Sequence, residues 1–145
     1  MQNFFKTCHA SGRTFLLFLS FIMAGNCFAQ KQGQGLIDSI LRELPRQKED
    51  TNNAELLNNL SYAYFTINPN EGLKYGQQGL DLAEKLHWKR GIAVANQALG
   101  INYNAKSNNA KALEYWQKAL KIFEETGNRQ GIASVTGDIG IVYVN

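Results

Sequence analysis

Beyond residue 29 the chain has no cysteine: Cys8 and Cys27 are its only two. The remainder therefore has no disulfide, no thiolate metal site and no cysteine nucleophile. Acid is missing from the other side of the same boundary. The first 29 residues carry no aspartate or glutamate, while Lys6 and Arg13 make them positive. With those two set aside, 13 of the 15 basic side chains stand against 12 acidic ones. The body is thus nearly neutral although the whole chain has a pI of 8.9. Such a surface has no electrostatic footprint for nucleic acid. Histidine is scarce too. Past residue 29 only His87 remains, and a lone histidine at a helix end reads as a surface or capping residue, not a ligand or base. No glycine loop is placed to cradle phosphate, since Gly72, Gly76 and Gly79 are spaced along one helix. No catalytic constellation is visible, so neither enzyme activity nor a cofactor or metal is expected.

The N-terminal segment, residues 1–29, reads as a secretory signal peptide. Lys6 and Arg13 begin it, Thr14–Met23 (TFLLFLSFIM) forms the apolar core, and Cys27-Phe28-Ala29 offers a cleavage site before Gln30. The apolar run is short of the roughly 20 residues a membrane span needs. Cleavage predicts an exported protein, periplasmic or secreted. Two alternatives stay open. One is an uncleaved membrane anchor. The other is a lipoprotein acylated at Cys27, for which Asn26 is a poor preceding residue.

Residues 30–50 form a spacer with a short helix over 36–44. Leu36, Ile37, Ile40, Leu41 and Leu44 keep helical spacing on one face. Pro45 ends it, because the residue before a proline leaves the α region. This helix is expected to cap the first end of a repeat array.

Residues 51–145 repeat themselves at a spacing of forty. Gly91–Tyr103 (GIAVANQALGINY) falls on Gly131–Tyr143 (GIASVTGDIGIVY), and Asn68–Lys85 (NPNEGLKYGQQGLDLAEK) on Asn108–Glu125 (NNAKALEYWQKALKIFEE). A fixed period of this length means stacked helical units. The units run over about 51–88, 89–127 and, in part, 128–145, each a helix pair joined by a polar turn. Thr51 or Asn52 suits the first cap. Pro69 suits the first position of a helix. Gly127 suits a left-handed stop. His87-Trp88 stands where a glycine-containing junction stands one unit later and reads as a less regular turn.

Leu99-Gly100-x-x-Tyr103, followed by Ala112-x-x-x-Trp116 and Ala119, resembles the tetratricopeptide repeat. Gly100, Ala112 and Ala119 are the small residues where helices cross closely, and Tyr103 and Trp116 fill the space beside them. The first unit keeps the order as Leu60-Ser61-x-x-Tyr64, with Gly76 in the place of Trp116 and so a thinner core. The third shows Ile139-Gly140-x-x-Tyr143. The usual unit has about 34 residues and ends near a proline. Here Glu124 takes that place, so the second helix should run on to Glu125 or Thr126. The forty-residue form, with its Gly127-Asn128-x-x-Gly131-Ile132-Ala133 junction, is similar to the N-terminal regions of exported Bacteroidetes-type tetratricopeptide sensor and regulator proteins. The resemblance implies an all-α, tetratricopeptide-like α-solenoid of antiparallel helix pairs.

It also implies a concave groove lined by the first helix of each unit. Matching positions are Asn58, Tyr62 and Phe65, then Gln97, Ile101 and Asn104, then Ile141 and Val144. Amides mixed with apolar side chains suit an extended or helical peptide. The expected function is binding of a protein or peptide partner without catalysis. The alternative is the sensor part of a longer signalling protein, such as a histidine kinase or a transcriptional regulator. Asn58, Tyr62, Ala98, Ser134 and Asp138 occupy the positions where related grooves use basic residues to clamp a terminal carboxylate, so that clamp is not expected. The chain stops on an apolar helix, Ile139–Asn145, with no covering partner. Self-association through that face is expected, and membrane contact only through an uncleaved N-terminus or a downstream span.

Overall fold

The computed structural model describes residues 33–44 and 48–144, without the side chain of Val144. The segment expected to be a signal peptide, Pro45 and the groove position of Val144 lie outside the described residues. Contacts divide the chain into two compact units, Met1–Gly35 and Leu36–Asn145. The forty-residue repeats lie in the second.

The described residues are helical and contain no strand. Helix α1 covers 33–43. It is followed by α2 (Thr51–Tyr64), α3 (Pro69–Lys85), α4 (Lys89–Ala105), α5 (Asn109–Glu125) and α6 (Arg129–Val144). Residues 33–35, expected in the spacer ahead of Leu36, are already helical. The expected apolar face is also narrower. Ile37 and Ile40 are buried against Leu60 of α2, whereas Leu36 points to solvent.

From α3 onward helices begin every twenty residues, at positions 69, 89, 109 and 129. The turns explain this regularity. His87, Ser107 and Gly127 all have positive φ, at 52°, 59° and 66°. At each, the left-handed residue's N–H returns to one carbonyl of the helix end, and the next residue's N–H reaches a carbonyl five residues back. The pairs are His87 to Glu84 and Trp88 to Ala83, Ser107 to Asn104 and Asn108 to Tyr103, and Gly127 to Glu124 and Asn128 to Phe123. This is the Schellman arrangement, which satisfies carbonyls that a helix end leaves open. The His87-Trp88 turn is therefore as regular as the others, contrary to expectation. It lacks only a side-chain cap on the next helix. Asn68, Asn108 and Asn128 supply that cap elsewhere, accepting from the N–H groups of Glu71, Lys111 and Gly131. For α2 the cap is Asp50, not Thr51 or Asn52. The α2–α3 turn is the exception, with no left-handed residue.

Pro69 opens α3 and α5 ends at Glu125, both as the sequence indicates. Consecutive helices from α2 to α6 pack on one another, and α2 also packs on α4. The core between α4, α5 and α6 is built from Ala93, Ala112, Trp116, Ala119, Phe123 and Val135. Burying a large apolar side chain contributes about 1.5–3 kcal/mol, so Trp116 and Phe123 dominate this layer. Gly100 is needed beside Trp116: a β-carbon there would stand 2.4 Å from the indole. Leu99, Ala112 and Ala119 are buried with it, and Tyr103 is half-buried.

The first unit is not thinly packed, although Gly76 replaces a tryptophan. Gly72, Gly76 and Gly79 line one face of α3, and neighbouring side chains fill the space they leave. Asn102 lies against Gly72, Ser61 and Leu99 against Gly76, and Asn58 against Gly79. Here α2 and α4 close over α3 with polar side chains instead of one aromatic ring.

Candidate functional site

The groove positions split into two groups. Phe65, at the end of α2, Ile101 and Asn104 of α4 and Ile141 of α6 line one cavity of about 290 Å³, with Ala105 at its side. Trp116, only 1% exposed, lies at its base. Phe65 and Ile141 remain 42% and 55% exposed. Ile101 and Ile141 are forty residues apart, so the same register of successive units supplies two of the walls.

The second group is turned inward. Asn58 is 1% exposed, and its Nδ2 donates to the carbonyl oxygen of Gly91 at 3.2 Å. It ties α2 to α4 and is a core residue; its expected place in the groove is corrected. The reason is Gly79, which leaves room for an amide between helices. Gln97 is also buried. Its Nε2 donates to Ser134 Oγ at 2.7 Å and to Asp138 Oδ2 at 3.0 Å, bridging α4 to α6. It reaches a second cavity of about 230 Å³ beside Arg90 and Phe123. Tyr62 is half-buried. Burial, and then the negative charge of Asp138, push its hydroxyl above the ordinary tyrosine range. The phenol therefore stays protonated at neutral pH.

Two further residues matter to this region, one matched from sequence only to a clamp position with no expected role and one not singled out at all. Asp138 borders the 290 Å³ cavity. Burial raises its carboxyl above the ordinary 3.8, and the hydrogen bond from Gln97 opposes that shift. Its sequence signal is a lone acid among Ile139, Ile141 and Val142 on α6. Asn102 is the other. It is fully buried and its Nδ2 donates to the Ser61 carbonyl oxygen at 3.0 Å, to Ser61 Oγ at 3.1 Å and to the Ala98 carbonyl oxygen at 2.9 Å. The facing Gly72 of α3 is its signal.

The ion pairs Lys74–Glu71, Lys85–Glu49, Lys89–Glu125 and Lys118–Glu114 are exposed. Such pairs contribute little to stability. Two stacked tyrosine pairs recur in equivalent places, Tyr64 on Tyr75 at 5.6 Å and Tyr103 on Tyr115 at 5.3 Å. Among the described residues no helix is long and apolar enough to cross a membrane, and no group of three or more His, Cys, Asp or Glu side chains is arranged to hold a metal ion.

Comparison with protein-family models, curated proteins and solved structures gave no match to this chain.

Proposed function

We propose that the chain is a tetratricopeptide-like α-solenoid that binds a peptide or protein segment in the groove shared by α2, α4 and α6. The observation that carries the reading is the cavity walled by Phe65, Ile101, Asn104 and Ile141. It combines exposed apolar side chains with an amide, and its walls come from helices one unit apart. Exposed apolar surface gathered in a concavity marks an interaction site more often than the same side chains scattered singly. An amide within it can hydrogen-bond the backbone of an extended segment. Binding needs no chemical step, and the function is recognition.

Random dodecapeptides displayed on phage and selected on the full chain test this reading. Enriched peptides should bind the parent protein and lose binding to Ile141→Lys, while Glu124→Lys, on the exposed side of α5, leaves binding intact. Failure to enrich any peptide, or equal binding to Ile141→Lys, would overturn it.

Export is the accompanying proposal. The basic start, short apolar core and Cys27-Phe28-Ala29 ending support removal of residues 1–29. Expression in a bacterium that exports the protein should yield a mature chain beginning at Gln30. An intact N-terminus, or acylated Cys27, would replace this proposal with one of its alternatives.

A further inference from the structure

The groove reading leaves open what chemistry the occupant has, and Asp138 bears on that. This residue borders a cavity whose other walls are apolar or amide, from Phe65, Ile101, Asn104 and Ile141. Gln97 fixes its position through Oδ2, and Ser134 in turn holds the Gln97 amide. Among the described residues no lysine or arginine pairs with it. The four ion pairs use other carboxylates. A half-buried carboxylate with one neutral hydrogen-bond donor is under-compensated, because leaving water costs more than a single neutral donor returns.

We infer that the cavity accepts a basic side chain, lysine or arginine, of the bound peptide, with its cationic head at Asp138. The inference rests on the groove reading. Size supports it: about 290 Å³ lies just below the roughly 300–1,000 Å³ typical of whole small-molecule sites. The space suits one long side chain better than a larger ligand. Shape and polarity agree as well. Lysine and arginine carry an apolar stem and a charged end, and their stems pack on apolar surface while the head seeks a polar partner. The stem would lie along Ile101, Ile141 and Phe65. An anionic side chain would meet Asp138 with like charge, and a purely apolar one would bury the carboxylate without satisfying it. Because Gln97 already holds the carboxylate in place, little ordering remains for the binding step.

The test uses the full chain and one phage-selected peptide labelled with fluorescein. The selected pool should be enriched in lysine or arginine at one position. Replacing that residue by norleucine keeps most of the stem and removes the charge. Anisotropy titration should show binding to the parent protein weakened about tenfold or more, equivalent to about 1.4 kcal/mol. On Asp138→Asn, which still accepts a hydrogen bond from Gln97, the same replacement should change affinity less than about twofold. Equal losses on both proteins would overturn the inference. So would peptides without a basic residue that still lose binding to Ile141→Lys, and that result would leave the groove reading standing. No enriched peptide at all would remove both. Should Asp138→Asn fail to fold, the norleucine replacement on the parent protein decides, because an unchanged affinity there overturns the inference alone.

Discussion

Gly100 and Trp116 are in contact so close that a β-carbon on the glycine would lie 2.4 Å from both Cδ1 and Nε1 of the indole. The indole N–H meanwhile donates to the carbonyl oxygen of Gln97 at 3.3 Å. The ring is thus held by packing and by a hydrogen bond, and cannot yield cheaply to a methyl group. Gly100→Ala is expected to destabilise the protein by about 1–3 kcal/mol, the usual range for overpacking. Gly140 stands one unit later and faces open space. Gly140→Ala should stabilise by up to about 1 kcal/mol through helix propensity. Urea unfolding of both variants checks the opposite signs.

Asn102 spans forty-one residues to reach Ser61 with two hydrogen bonds. Asn102→Ala removes these and leaves the buried Ser61 hydroxyl without this partner. Loss of about 2–4 kcal/mol is expected from the hydrogen bonds and the space vacated. Hydrogen exchange should show the loss in α2 and α4 first. Uniform change across all helices would argue against a local α2–α4 tie.

His87 and Ser107 adopt the left-handed conformation that Gly127 adopts without a side-chain penalty. That conformation costs other L-residues about 1–2 kcal/mol. Replacing either by glycine should raise stability by about 0.5–1 kcal/mol after the entropic cost of glycine. Gly127→Ala should lower it by about 1 kcal/mol. The sites are remote from one another, so His87→Gly and Ser107→Gly should add. Thermal melts of the single and double variants decide this.

The sequence period placed the helix limits well, because proline, asparagine caps and Gly127 punctuate it in residues that have strong local preferences. It did not show that the turns at His87 and Ser107 are built like the one at Gly127, since positive φ is uncommon for any residue with a side chain. That Phe65, Ile101 and Ile141 come together around one cavity follows from one matched register. The place of Asn58 does not, because its burial depends on a glycine of another helix. A register tells which way a side chain points. It does not tell how near the neighbouring backbone will come. The same limit hid Asn102, whose partner Ser61 is set by helix packing and not by local pattern.

Asp138 should make stability depend on pH. Its folded carboxyl is raised above the ordinary 3.8 by burial, against the hydrogen bond from Gln97. A group shifted this way favours folding most when protonated, below its unfolded value. That contribution is lost as pH rises through the raised folded value. Tyr62, whose hydroxyl also feels this charge, stays protonated throughout. Asp138→Asn should therefore gain stability relative to the parent on going from about pH 3 to about pH 7. Urea melts at both values test the sign, and a constant difference between the two proteins would remove Asp138 as the cause.

The three matching turns also have a genetic consequence. Trp88 and Asn128 leave their turns through the same backbone hydrogen bonds, forty residues apart. DNA encoding the segment between them can be copied in tandem without asking the main chain for a new joint. Lengthening then depends only on whether the side chains at each seam accept one another, and the seams differ there: Gly91 lies against the Trp88 ring, while Gly131 lies against Phe123. The backbone is a common coupling, and these aromatic contacts determine which segments can be joined.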